Sequence, residues 1–218
     1  MDLLPALIAG TAGIAFGWFA ARYQHLLYRQ PEYHANPAQG RKLLSLRLFL
    51  ATSTGLAGAL AFRPDHYDAG PALLTLVFAW VLCVQSSTDF ERRIIPNRLT
   101  YPAIAGALLL AWAWPDRGAW DVWLGGGIGL AAGVTLFLLG TLAARGEAFG
   151  MGDVKLMTLV GLLSAWPAVV PALFIGVLAA GIPGLALTLA GRGRSYFSYG
   201  PYLAFGGLVA ILFPAALT

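Results

Sequence analysis

Charge is what this sequence has least of: Asp, Glu, Lys and Arg together make up 11% of its 218 residues, against about 25% in an ordinary soluble domain. Hydrophobic residues account for 58%. A chain so apolar cannot hide its surface in one core, so lipid must be the solvent for much of it. Cysteine occurs once, as Cys83 inside an apolar stretch. That excludes an internal disulfide and any cysteine-cluster zinc site, and a lone apolar Cys is by default a packing residue. The formal net charge is only +4 and no dense basic run occurs, so nucleic acid is not an expected partner. No glycine-rich stretch resembles a phosphate cradle and no repeat is evident. No cleavable leader pattern stands apart at the start. The first apolar stretch, residues 3–21, is followed by others of its kind and reads as a retained span.

What is abundant is apolar runs of membrane length. A bilayer-crossing helix needs about 20 apolar residues. Candidates fall at residues 3–22, 43–62, 71–88, 99–114, 121–143, 154–168, 170–190 and 199–217. The fourth is short and can start as early as Ile94. The long apolar stretch after Lys155 divides near Trp166 and Pro167, and Pro171 and Pro183 are candidate kinks in its second half. The expected fold class is therefore all-α, a polytopic membrane bundle of about eight transmembrane helices. In the fifth span, Gly125, Gly129 and Gly133 recur every fourth position, a spacing that lets helix backbones approach closely.

Eight spans put both termini on one side, and basic residues sort the connecting segments. One set holds Arg22, Arg29, Arg41, Lys42, Arg47, Arg92, Arg93, Arg98, Arg145, Lys155, Arg192 and Arg194, which is 12 of the 14 basic residues. The other holds Arg63 and Arg117 beside Asp65, Asp68, Asp116 and Asp121. The basic set is expected to be cytoplasmic.

Two acids stand out by position. Asp89 closes the third span in Gln85-Ser86-Ser87-Thr88-Asp89, and Asp153 opens the sixth in Phe149-Gly150-Met151-Gly152-Asp153. Two crossings separate them, so both carboxylates are expected at the cytoplasmic membrane boundary. Taken singly, each has a bland reading: Asp153 as a helix N-cap, Asp89 as an interfacial acid. As a pair at membrane depth they point to function, because buried acids there are costly. Gly150 and Gly152 are expected to form a loop able to take positive φ and admit another backbone.

Their surroundings carry a resemblance. Asp89 followed by Ile95-Pro96-Asn97 resembles the first aspartate motif of type IV prepilin peptidases. Gly150-Met151-Gly152-Asp153-Val154-Lys155-Leu156 resembles their GxGD motif, and Tyr199-Gly200-Pro201-Tyr202-Leu203-Ala204 resembles the entry to their last span. All three occur in the family's order. The resemblance covers roughly residues 70–217 and divides the chain into an N-terminal two-span segment, 1–62, and a GxGD-type aspartic peptidase domain, 63–218. The first span, running on to Tyr28-Arg29-Gln30-Pro31, is also similar to the family's start. Long bacterial members then carry a cytoplasmic domain with paired cysteines associated with N-methylation of the product. Here the loop between about Tyr23 and Lys42 holds no cysteine, so methyltransferase activity is not expected.

The resemblance implies a hydrolase with Asp89 and Asp153 as catalytic pair and no metal or cofactor. Ile95, Pro96, Asn97, Gly150, Gly152, Lys155, Gly200 and Pro201 are the expected active-site or substrate-binding positions. The implied substrate is a prepilin or pseudopilin of a type IV pilus or type II secretion system, cut at the cytoplasmic face of the bacterial inner membrane. Which aspartate acts as base stays open. Asp89, Glu91, Glu147 and Asp153 put four acids on that face for a basic leader. Lys155 is expected to snorkel to the headgroups, Arg92 and Arg93 to act as topology anchors, and His25, His34 and His66 to be solvated loop residues. Glu91, two positions from Asp89, faces away from it on a continuing helix. Other readings are a related GxGD protease acting on signal peptides or preflagellin-like leaders, a proton-coupled transporter, and a non-catalytic secretion-assembly protein. A transporter would carry acids near the bilayer midplane on broken helices, whereas these spans are nearly acid-free.

Overall fold

The computed structural model describes residues 3–29, 39–64, 66–110, 113–144, 150–189 and 198–217. Gln30, Pro31, His34, Asp65, Arg145, Glu147, Phe149, Arg192 and Arg194 lie outside the described residues. The described secondary structure is entirely helical, and the chain is a polytopic membrane protein of the all-α class. Its helices are α1 (Leu4–Tyr28), α2 (Arg41–Ala61), α3 (Ala69–Arg92), α4 (Asn97–Leu109), α5 (Ala119–Ala144), α6 (Met151–Ser164), α7 (Val169–Leu189) and α8 (Gly200–Leu212), with a 3₁₀ turn at Pro214–Ala216. Each of the eight expected spans corresponds to one helix. By length and composition, α1, α2, α3 and α5 can each cross a membrane. Large apolar side chains that water would drive inward point outward instead: Leu7 is 65% exposed, Phe19 60% and Leu142 80%.

Boundaries differ from the apolar runs where polar groups find partners or lose them. Helix α1 continues past residue 22 to Tyr28, so His25 is a last-turn helical residue and not a loop residue. Helix α4 stops at Leu109 instead of residue 114. Helix α6 starts earlier than its apolar run and ends at Ser164, and α8 ends at Leu212. The chain turns between α6 and α7 at Ala165, which adopts φ 60°, beside the expected Trp166-Pro167 division. Pro183 sits inside α7.

Two compact units emerge, residues 1–96 and 97–218. In the first, α1 packs on α2 through small residues. A Cβ on Gly13 or Gly17 would collide with backbone of Thr54 or Leu50, and one on Gly58 with the Ala9 carbonyl. The Thr54 hydroxyl also reaches the Gly13 carbonyl at 2.7 Å. Helix α3 packs beside α2 and touches α1.

In the second unit, α6 is the central helix, packed against α4, α5, α7 and α8. Its closest neighbour is α5, and the glycine stripe explains why. Gly125 and Gly129 lie against backbone at Gly161 and Met157, while a Cβ on Gly133 would come within 3.0 Å of the Val154 Cα. The helix-packing reading of these glycines is thus met. The far end of α6 is closed by Arg117, whose guanidinium donates to the Leu163 carbonyl and lies 5.2 Å from the Trp114 ring centre.

Candidate active site

Asp89 lies in the last full turn of α3, 5% exposed. The turn before it is polar on every side, yet Gln85, Ser86, Ser87 and Thr88 are all buried as well. Burying five consecutive polar residues opposes folding unless each is satisfied, so this segment is built for something other than packing. The helix ends through Arg93, which adopts left-handed φ 57° and ψ 40°, with its N–H donating to the Asp89 carbonyl at 2.8 Å. Ile94 and Ile95 follow half-buried and Pro96 is buried. Pro96 is disfavoured inside a helix, and the next helix starts immediately after it at Asn97.

Asp153 belongs to the second unit. It is not the N-cap of α6; that position is Gly150, which places Asp153 third in the helix. Its carboxylate reaches back and accepts the Gly150 N–H at 3.1 Å, and its own N–H donates to the Gly150 carbonyl at 3.0 Å. Gly150 has no side chain, so only the carboxylate half of a capping box exists here. The side chain is half-buried. The expected glycine loop of positive φ is corrected: Gly150 is extended, φ −92° and ψ 155°, and Gly152 lies within the first helical turn. The start of α6 takes up this segment, with the Asp153 carboxylate holding the Gly150 N–H at its first turn.

Lys155 also departs from expectation. Its ammonium does not run out to headgroups but donates to Oδ1 of Asn97 at 2.8 Å, with Nζ 5.0 Å from the Tyr101 ring centre. A half-buried ammonium finds a partner more cheaply inside the protein than by extending to the surface. Asn97, the last residue of the Ile95-Pro96-Asn97 element, is therefore joined to the helix that carries Asp153. Gly200 and Pro201 open α8, with proline in the first turn where it is favoured, and α8 packs on α6.

Sequence reasoning missed the partners of Glu91. Its Oε2 accepts from Gln24 Nε2 at 3.0 Å and from the Tyr28 hydroxyl at 2.9 Å, and Arg92 lies 3.6 Å from Oε1. Helix α1 supplies both neutral donors. The available signal was a pair of i, i+4 polar residues, Gln24 and Tyr28, at the end of an otherwise apolar span. Of the histidines, His66 lies beside Arg63, 3.3 Å from its guanidinium, and its ring centre is 4.1 Å from that of Tyr67.

Residues 76–185, half of the chain, match the type IV leader peptidase family, a stretch that contains both aspartate motifs. A prepilin leader peptidase/N-methyltransferase of Burkholderia pseudomallei is 33% identical over 173 residues, 75% of this chain and 53% of the relative. That of Bacillus subtilis is 32% identical over 143 residues, 63% of this chain and 54% of the relative. That of Aeromonas hydrophila is 28% identical over 148 residues, 67% and 51% respectively. The chain spans about half the length of the curated relatives it matches. No solved structure matches it. With residues 76–185, half its length, matched, the chain belongs to the type IV leader peptidase family.

Proposed function

We propose that this chain is a membrane-embedded aspartic endopeptidase that removes the leader from type IV prepilins or pseudopilins at the cytoplasmic face of the bacterial inner membrane. The observation that carries this reading is the Lys155–Asn97 bond. It ties Asn97, which closes the element that follows Asp89 in sequence, to the second turn of the helix bearing Asp153, inside the segment matched to the family. A transporter or an assembly factor gives no reason for that bond between Asn97 and the helix bearing Asp153. On this reading the peptidase domain runs over residues 63–218.

The reaction is hydrolysis of one peptide bond. One carboxylate takes a proton from water, and the resulting hydroxide adds to the scissile carbonyl carbon. The other carboxyl group donates its proton to the carbonyl oxygen, giving a tetrahedral diol. On collapse the amine leaves with the proton held by the first carboxyl group, a diol hydroxyl returns its proton to the second carboxylate, and the pair is back in its starting state. Two carboxylates acting on one peptide bond cannot both ionise cheaply, so on this reading one proton is shared and the titration belongs to the pair. No cofactor enters these steps. Ile95, Pro96, Asn97, Gly150, Gly152, Lys155, Gly200 and Pro201 are assigned to shaping the site and holding the extended substrate.

The sorting of 12 basic residues to one set of connections supports the cytoplasmic orientation. A leader that stays cytoplasmic while the following apolar segment spans the bilayer suits a site at that depth. The relatives named above are also N-methyltransferases by name, but the stretch between α1 and α2 here holds no cysteine, so cleavage without methylation is proposed. Co-expression with a prepilin, followed by mass spectrometry of its N-terminus, tests cleavage, cut position and methylation together. The expected product is shortened and unmethylated. An intact leader in cells whose membranes contain the chain would overturn the peptidase reading.

A further inference from the structure

Beyond the aspartates, the first unit contains a closed polar circuit between α1 and α3. Ser87 Oγ donates to Gln24 Oε1 at 3.0 Å. Gln24 Nε2 donates one hydrogen to the Tyr28 hydroxyl at 2.6 Å and the other to Glu91 Oε2 at 3.0 Å. The Tyr28 hydroxyl passes its own hydrogen to the same Glu91 oxygen at 2.9 Å. The side-chain amide of Gln24 thus has every donor and acceptor engaged. Gln24 is 0% exposed, Tyr28 1% and Ser87 3%.

The register gives the circuit a purpose. Ser87 and Glu91 are four apart on α3, and Gln24 and Tyr28 are four apart on α1, so each pair forms one face of its helix. Asp89 lies midway between Ser87 and Glu91, about 200° around the helix from each. Gripping α3 on the Ser87–Glu91 side fixes the rotation and depth of the opposite side, which carries the Asp89 carboxyl. Apolar packing cannot do this as well, because a smooth interface lets a helix turn or slide while hydrogen bonds of fixed geometry do not. Gln24 and Tyr28 also lie outside the matched stretch, which begins at residue 76.

We propose that Gln24, Tyr28, Ser87 and Glu91 form a positioning device for Asp89, so that α1 is a working part of the active site and not only an anchor. The proposal rests on the peptidase reading above. Misplacing a reacting group by about 1 Å costs on the order of 10²-fold in rate, so loosening the circuit should lower kcat and leave KM unchanged.

The test uses the purified full-length chain in lipid nanodiscs and a prepilin substrate. Gln24→Glu sets a second carboxylate against Glu91 and should lower kcat about 10–100-fold. The swap Gln24→Glu with Glu91→Gln re-forms four bonds with the roles exchanged: the Ser87 hydroxyl donates to the new carboxylate at 24, the new amide at 91 donates to that carboxylate and to the Tyr28 oxygen, and the Tyr28 hydroxyl donates to the carboxylate at 24. It should return kcat to within about threefold of the native chain, the spread left by ordinary context dependence. Loss without rescue by the swap, or wild-type turnover in Gln24→Glu, would overturn the proposal. Should Gln24→Glu fail to accumulate, Tyr28→Phe decides. A lowered kcat at constant KM upholds the device, and wild-type kinetics sink it. Native chain that does not cleave at all refutes the peptidase reading instead, which separates the two failures.

Discussion

The helices bearing the two aspartates are held by opposite means. Helix α3 is 24 residues long and carries Asp89 in its last turn, within a buried polar segment gripped by directional hydrogen bonds from α1. Helix α6 is 14 residues long and carries Asp153 in its first turn, on an apolar body held by backbone-to-backbone contact across glycines. The carboxyl groups accordingly sit at opposite poles of their helices, Asp89 near the carbonyl end and Asp153 near the amide end. The difference teaches where each site is fragile. Around Asp89, polar substitutions should change rate more than stability. Around Asp153, a single added carbon on α5 should change stability first.

The comparison breaks most sharply at the aspartates themselves. Asn keeps the shape of Asp but can neither ionise nor act as a general acid. Asp89→Asn and Asp153→Asn are each expected to lower cleavage about 10²–10⁴-fold, and the double variant to lose little more, because groups acting as a unit are non-additive. A prepilin band-shift assay at matched protein levels reads this. Since Asn can accept the Gly150 N–H as Asp153 does, near-native cleavage by Asp153→Asn would leave that residue a helix cap and end the two-aspartate mechanism.

Next in size is the link between Lys155 and Asn97. Removing either partner of a charge-assisted bond costs about 1.5–3 kcal/mol, so Lys155→Ala and Asn97→Ala should each slow cleavage by roughly 10–100-fold. A double-mutant cycle should show that the second substitution adds little. Additive losses would mean that the two residues act separately.

The glycine contact sharpens the stability half of the comparison. A Cβ on Gly129 would press on the Met157 carbonyl, whereas one on Gly127 meets nothing within 4 Å. Gly129→Ala should cost about 1–3 kcal/mol, while Gly127→Ala should be neutral or gain up to about 1 kcal/mol from helix propensity. Thermal unfolding in detergent distinguishes them, and equal midpoints would remove the packing argument. The smallest effect is a topological one. Cysteines placed one at a time at Arg93 and at Asp116, beside the buried native Cys83, should react with an impermeant maleimide from opposite sides of the membrane. Labelling of both from one side would reverse the shared-face argument for the aspartates.

Much of the fold was legible because apolar runs of membrane length have few alternatives, and Gly200-Pro201 marks a helix start by its own chemistry. Helix ends were less legible. The polar residues from Arg22 to Tyr28 look like loop, yet they stay helical because Gln24 and Tyr28 find partners on α3, which no local pattern reveals. The roles of Lys155, Gly150 and Gly152 were misread for the same reason. A lysine beside a membrane helix suggests headgroups until Asn97 is seen within reach, and the glycine pair suggests a loop until the Asp153 carboxylate is seen closing the first turn of α6. The aspartate motifs themselves were visible from residue type and order alone.

The brevity of α6 sets a mechanical condition on the proposed catalysis. Fourteen residues rise about 20 Å, whereas the hydrocarbon layer is about 30 Å thick. Were the Arg117-capped end at one surface, the turn bearing Asp153 would stop about 10 Å short of the other. Either the lipid leaflet dips to meet it or water fills the shortfall as a funnel. Both deformations grow costlier as acyl chains lengthen, so the thickness of the surrounding bilayer becomes a throttle on turnover.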